Sequence, residues 1–345
     1  MIGVRVMNDA VKERCELLSV NKSIIHKAFL FEKDQMSLAS ALLFTSASKE
    51  ADIDKMKLCR KLLKKNTRPL SSLRDIVELV LISKMTLSDD PEKYLSDFMS
   101  VYDKITKGSI LENDYMVLSA ILILDFDLQS ESDEIVSRAK ELMKKLNSEH
   151  PILIAADDIS FVMFLAISGK SVDKVIEDLE EGYRYLKDTC KPGVGNDALY
   201  ELCEILALTY GDMKDKCDKV MRIYSVLKNH KSDYISGSGF SELGTLIDMG
   251  LEPEEIAREI IEADDCLKEL KGFKDPSCDK KLREMYASLI VADVYCPDIK
   301  AAGNSIISNT MSIIRAQQIS KMISFISSAA PTVLSAFLKT DDDKS

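Results

Sequence analysis

The residues able to do chemistry are few and scattered. Three histidines, His26, His150 and His230, stand apart, without the H-x-x-x-H or H-E-x-x-H spacing that sets two imidazoles on one helix face. His150 precedes Pro151 at a helix end, where a partly positive imidazole suits the helix dipole. The eight cysteines are Cys15, Cys59, Cys190, Cys203, Cys217, Cys266, Cys278 and Cys296. No two are separated by two to four residues, so zinc-knuckle spacing is absent. Cys59, Cys203 and Cys217 fall in apolar helical patterns, where a free thiol behaves as a small hydrophobe. Paired carboxylates occur at Asp89-Asp90, Asp157-Asp158 and Asp264-Asp265. Neighbours on a helix point about 100° apart, so no pair makes a two-carboxylate site by itself. Asp157-Asp158 sit where a helix is expected to start, and capping explains them. Gly193-Val194-Gly195 and Gly237-Ser238-Gly239 precede helices. Neither leads on to Lys-Ser/Thr, a third glycine or a strand, so neither makes a phosphate loop. Nucleophilic catalysis has no motif either. No catalytic residue, metal site or cofactor is assigned.

Such residues must be positioned by the elements around them, and the elements are read from periodicity. Between Ser171 and Lys187, Val172, Val175, Ile176, Leu179, Tyr183 and Leu186 recur at helical spacing, with acids and lysines on the opposite face. The pattern returns as Cys217, Val220, Tyr224, Leu227 and Lys228, and again as Ala257, Ile260, Asp264, Leu267 and Lys268. Towards the N-terminus it fits Leu95, Phe98, Tyr102 and Ile105, then Val136, Ala139, Met143 and Leu146, and more weakly Ile53, Met56 and Leu63. The last apolar position of each copy falls at Leu63, Ile105, Leu146, Leu186, Leu227 and Leu267, at intervals of 42, 41, 40, 41 and 40. Chance does not hold a register so tightly over six copies.

Each amphipathic helix is followed by a more apolar one: Leu73–Ile82, Tyr115–Leu124, Phe161–Ile167, Leu199–Leu208, Phe240–Met249 and Leu282–Ala292. A helix apolar nearly all round has to be covered on several sides, so these form an inner wall and the charged helices an outer one. Start signals precede the helices at Ser88-Asp89-Asp90-Pro91, Ser130-Glu131-Ser132-Asp133, Ser171-Val172-Asp173 and Glu252-Pro253-Glu254. The fold class expected is all-α: a helix-pair repeat array, an α-solenoid-like superhelix with a period of about 40 residues. Residues 1–49 are expected as an N-terminal helical cap and 50–297 as the repeats. Residues 298–338 follow as an apolar amphipathic segment, and 339–345 as a solvated tail.

Charge narrows the partners. With 57 acidic against 46 basic residues, the net charge is −11, which repels phosphate backbones and argues against nucleic acid. Lys12, Glu13 and Arg14 interrupt any apolar leader, and the cysteines show no disulfide framework, so a reducing cytoplasm is expected. From Ala301 to Leu338 only Arg315 and Lys321 are charged, and Ile306, Ile307, Met311, Ile314, Met322, Phe325, Ile326 and Ala329 form a stripe. Polar residues break every run short of a membrane span. This stripe needs a covering surface: the repeats themselves, a second copy, a partner protein or a membrane surface.

Three blocks carry a family likeness: Glu149-His150-Pro151 with Asp157-Asp158; Lys268-x-x-Lys271-Gly272-Phe273 with Arg283 and Ala287–Ala292; and Ala316-Gln317-Gln318. Together they resemble the bacterial family catalogued as domain of unknown function 4003, from about His26 to Gln318. The resemblance implies a cytoplasmic helical protein and carries over no activity and no catalytic residues. The expected function is a non-catalytic scaffold for a protein or peptide partner, with Ile314, Met322 and Phe325 of the stripe as contacts. The alternative is an enzyme or small-ligand protein whose pocket draws on several repeats. Its candidate lining is Tyr102, Tyr183, Tyr224 and Asp264, the last a carboxylate in a packing register that calls for a salt-bridge partner. A third reading is attachment to a membrane surface through the stripe. Two cations among many serines bind anionic lipid weakly, which ranks it last.

Overall fold

A computed structural model of the chain describes residues 7–295 apart from 31, 33, 70, 75–76, 108–113, 150–158, 169, 209–210, 248 and 275–277. The described residues form helices and connecting turns, with no strand among them. In chain order the α-helices are α1 (Asp9–Ala28), α2 (Asp34–Ser46), α3 (Ile53–Asn66), α4 (Glu78–Leu87), α5 (Pro91–Thr106), α6 (Asp114–Asp125) and α7 (Ser132–Glu149). They continue as α8 (Ile159–Ser168), α9 (Val172–Tyr185), α10 (Asn196–Ala207), α11 (Met213–Asn229), α12 (Ser238–Glu242), α13 (Pro253–Glu269) and α14 (Lys280–Tyr295).

The charged helices begin where their caps predict. The Asp90 carboxylate accepts from the Glu92 and Lys93 amides, and Pro91 fills the first helical position, where a missing N–H costs nothing. Ser171 accepts from the Lys174 amide, and Asp52 and Asp212 do the same work for α3 and α11. The register residues lie at or just beyond the ends of these helices: Leu63, Ile105, Leu186, Leu227 and Leu267 are buried. Full burial of one such leucine stabilises the fold by about 1.5–3 kcal/mol.

Most helices pack chiefly on their neighbour in sequence, as α1 on α2, α5 on α6, α7 on α8 and α13 on α14; beyond that, odd-numbered helices meet along the chain, as α9 on α11 and α11 on α13, and so do even-numbered ones, as α2 on α4 and α6 on α8. Three even-numbered helices hold segments covered on all sides. Met36–Thr45 of α2, Met116–Leu124 of α6 and Glu284–Ala292 of α14 are each an unbroken run of buried residues. The odd layer is half-buried; α3 buries Met56, Cys59 and Leu63 and turns Lys61, Lys64 and Lys65 to solvent.

The two ends of the described chain touch. Helix α1 lies against both α13 and α14. Asn8 donates from Nδ2 to the Tyr295 hydroxyl (2.8 Å), Ser19 from Oγ to the Lys271 carbonyl (2.8 Å), and Lys22 from Nζ to the Gly272 carbonyl (2.6 Å). Gly272 has φ +86°, a conformation that leaves its carbonyl reachable and disfavours any side chain.

Two apolar segments differ from the single helices that periodicity predicts. In Leu73–Ile82, a 3-10 turn at Ser72–Arg74 precedes α4, which starts at Glu78. In Phe240–Met249, α12 stops at Glu242 and continues as a 3-10 turn, Leu243–Thr245. Glycine is the physical reason for the second. A Cβ on Gly239 would stand 1.6 Å from the Tyr234 carbonyl oxygen, and one on Gly244 would stand 2.8 Å from Leu202 Cδ1. The backbone here approaches its neighbours more closely than a regular helix with side chains permits.

Candidate functional site

The structure places Tyr183 and Tyr224, 41 residues apart in sequence, in similar settings. Lys187 Nζ sits 5.2 Å from the centre of the Tyr183 ring, and Lys228 Nζ is 5.2 Å from that of Tyr224. Both are tyrosine–lysine pairs one helical turn apart, where a cation meets the negative ring face. Tyr183 meets Tyr200 of α10 edge-on at 6.2 Å, and Tyr224 meets Phe240 edge-on at 5.2 Å. The Tyr224 hydroxyl donates to the Pro192 carbonyl (2.8 Å), tying α11 to the turn before α10. Tyr102 is buried and stacked on Phe98 (5.7 Å), while its own carbonyl accepts from Thr106 Oγ.

Asp264 breaks the tyrosine pattern, and its counter-charge is Arg283 of α14. Arg283 donates from Nε to Oδ1 (2.7 Å) and from Nη2 to Oδ2 (3.2 Å). Both side chains are nearly buried, at 13% and 11% exposure, so this two-pronged pair acts in low dielectric where charge-assisted bonds are strong. The register substitution of Tyr by Asp exchanges a ring contact for an ion pair between α13 and α14. Tyr183, Tyr224 and Asp264 each join their own helix to a neighbouring element, while Tyr102 stacks within α5. Ile314, Met322 and Phe325 lie outside the described residues, as do His150, Asp157 and Asp158.

Several polar groups carry more of the architecture than spacing reveals. Glu284, in an apolar run of α14, accepts through Oε2 from Ser232 Oγ (3.0 Å) and from the Asp233 (2.8 Å) and Tyr234 (2.9 Å) amides. One buried carboxylate thus gathers the donors of a turn some 50 residues away. Nearby, the Tyr234 hydroxyl donates to Glu242 (3.0 Å) and accepts from Ser288 Oγ (3.2 Å). Burial raises its pKa well above the ordinary tyrosine range.

At the C-terminal end of α10, Lys170 Nζ donates to the Ala207 carbonyl (2.7 Å) and Lys216 Nζ to the Leu206 carbonyl (2.6 Å). Two ammonium groups therefore satisfy helix-end carbonyls and face the negative end of its dipole. Lys170 also pairs with Asp178 (3.3 Å), which lies beside Lys174 (3.0 Å). Burial lowers the Lys170 pKa, and the Asp178 charge opposes that shift. Arg60 of α3 bridges Glu32 and Glu78, over the ring of Phe29. The lone acid inside an apolar run was a readable signal for Glu78 and Glu284. Lys170 and Lys216 gave none, because the helix-end carbonyls of Ala207 and Leu206 that they meet are main-chain groups, which residue type does not reveal.

Among the described residues no group of three or more His, Cys, Asp and Glu side chains is arranged to hold a metal ion. No helix among them is long and apolar enough to cross a membrane. No curated protein and no solved structure matches the chain. A family model described as "Protein of unknown function (DUF4003)" matches residues 22–319. That match spans most of the chain, so the chain belongs to the DUF4003 family.

Proposed function

We propose that the chain is a non-catalytic helical-repeat scaffold, its pairs arranged in a ring, whose inner wall holds one apolar amphipathic helix. The observation that carries this reading is the burial of α2. Met36–Thr45 are ten successive buried residues, nearly three turns, so every face of the helix is covered. Its main described neighbours are α1 and α4, which cover two sides. Helices α6 and α14 are covered in the same way. A further element belongs against these faces.

The segment 301–338 has the matching chemistry: an apolar stripe through Ile314, Met322 and Phe325 with only Arg315 and Lys321 charged. Its seat would be the inner wall, and a partner protein's helix of the same character would compete for it. The ring arrangement is supported by the junction of α1 with α13 and α14 and by the equivalent Tyr183–Lys187 and Tyr224–Lys228 pairs. The binding role rests on architecture and on this chemical match.

The test uses the full chain with Ile314→Glu, Met322→Glu and Phe325→Glu combined. Glutamates in an apolar seat each forfeit burial and add a desolvated charge. The melting temperature is expected to fall by several degrees, with binding of an added 301–338 peptide gained. A triple variant with the parental melting temperature and no peptide binding would sink the reading. Light scattering on the same samples distinguishes an internal seat, with monomers throughout, from self-association, where the parent is larger than the variant.

A further inference from the structure

Cys15 and Cys266 are 251 positions apart, yet the packing of α1 on α13 makes them neighbours. The Cys15 sulfur also lies 3.9 Å from the carbonyl oxygen of Ala263, one turn before Cys266 on the same face of α13. The side chain of Cys15 is therefore seated on the 263–266 turn. We infer that Cys15 and Cys266 form a reversible disulfide, a covalent clasp between the first and last helix pairs. The inference is independent of any helix held by the inner wall, since it needs only the α1–α13 contact.

The two thiols differ in the way that sequential thiol–disulfide chemistry requires. Cys15 is fully buried and Cys266 is half-exposed, beside the solvent-facing Lys12 and Glu16 of α1. The hydrogen bond from Cys15, aided by the charge of Lys12, holds the Cys266 pKa at about 7, against the opposing effects of burial and Glu16. Cys15 is pushed up, first by the same bond and then by burial, so it stays a protonated thiol. A thiolate is the attacking species, which makes Cys266 the entry point.

The oxidant is a low-molecular-weight disulfide, RSSR. The Cys266 thiolate attacks one of its sulfurs, forming Cys266–S–S–R and releasing RS⁻, which takes up a proton. Cys15 then loses its proton and attacks the Cys266 sulfur, forming Cys15–S–S–Cys266 and releasing the second thiol as RSH. Two protein thiols are oxidised and one RSSR is reduced to two RSH. The reverse exchange opens the clasp, so a reducing compartment holds it open and an oxidative challenge shuts it. Closing a loop of this length restricts the unfolded chain strongly, so the oxidised form resists unfolding.

The experiment equilibrates the purified full chain with graded ratios of oxidised to reduced glutathione, then alkylates free thiols and maps peptides without reduction. A Cys15–Cys266 linked peptide is expected. It should come with a rise in melting temperature on the order of 5–10 °C, reversed by dithiothreitol. Cys266→Ser abolishes the link and the rise; Cys190→Ser, which removes another half-buried thiol, leaves both intact. A stable glutathione adduct at Cys266 with no transfer to Cys15 would overturn the inference. So would a link between Cys190 and Cys217 in its place, or a Cys15–Cys266 link with no change in melting temperature. The map of the unsubstituted protein decides the matter even where a variant folds poorly.

Discussion

A carboxylate removed from water needs its counter-charge fixed in place, and Asp264 has that in the fork of Arg283. Asp264→Asn leaves a nearly buried guanidinium short of charge, so it is expected to cost about 2–4 kcal/mol by urea denaturation. Asp264→Leu combined with Arg283→Met should cost less than either single change, because no charge is then left unpaired. Lys170 gives a pH signature. Burial lowers its pKa in the fold below 10.5, so between that lowered value and 10.5 the unfolded chain binds the proton that the folded chain has released. Its contribution to stability therefore increases as pH rises through that window. Urea midpoints measured towards pH 10.5 should show a less positive slope for Lys170→Met than for the parent; parallel slopes would contradict the assignment. At this scale the sequence was partly readable. The Tyr–Lys spacing repeats visibly, and the oddity of Asp264 asked for a partner. Arg283, Glu284 and the Cys15–Cys266 contact join residues that only the tertiary fold brings together.

Elements were the most legible level, because caps act within a turn. Asp90 and Ser171 set helix starts by accepting from amides two or three residues away, and Pro91 by filling the first helical position, all of which a linear reading contains. The short α12 was not legible, since its limit is the approach of the Tyr234 backbone to Gly239 and of α10 side chains to Gly244. That makes a pair of glycine substitutions informative. Gly239→Ala puts a methyl into the space of the Tyr234 carbonyl and is expected to lower stability by about 3 kcal/mol or more. Gly195→Ala meets nothing within 4 Å at a negative φ and should change stability by about 0.5 kcal/mol or less. Chemical denaturation of the two variants side by side measures the contrast, and equal costs would remove the packing explanation for α12.

For the whole molecule, periodicity predicts pairs in a row and is silent on where the row ends meet. The α1 junction depends on Lys22, whose ammonium reaches the Gly272 carbonyl and lies 5.1 Å from the centre of the Phe273 ring. Lys22→Met removes both contacts, and amides of α1 and α13 are expected to exchange faster together, by about tenfold or more. Faster exchange in α1 alone would mean that α13 does not depend on it. The inner wall carries the larger claim. Hydrogen exchange of the full chain, read peptide by peptide across 301–338, tests it most directly. The account predicts that amides around Ile314, Met322 and Phe325 exchange at least a hundredfold more slowly than in the free peptide, and that the triple glutamate variant abolishes this protection. Exchange of those amides at the free-peptide rate in the parental chain would contradict it.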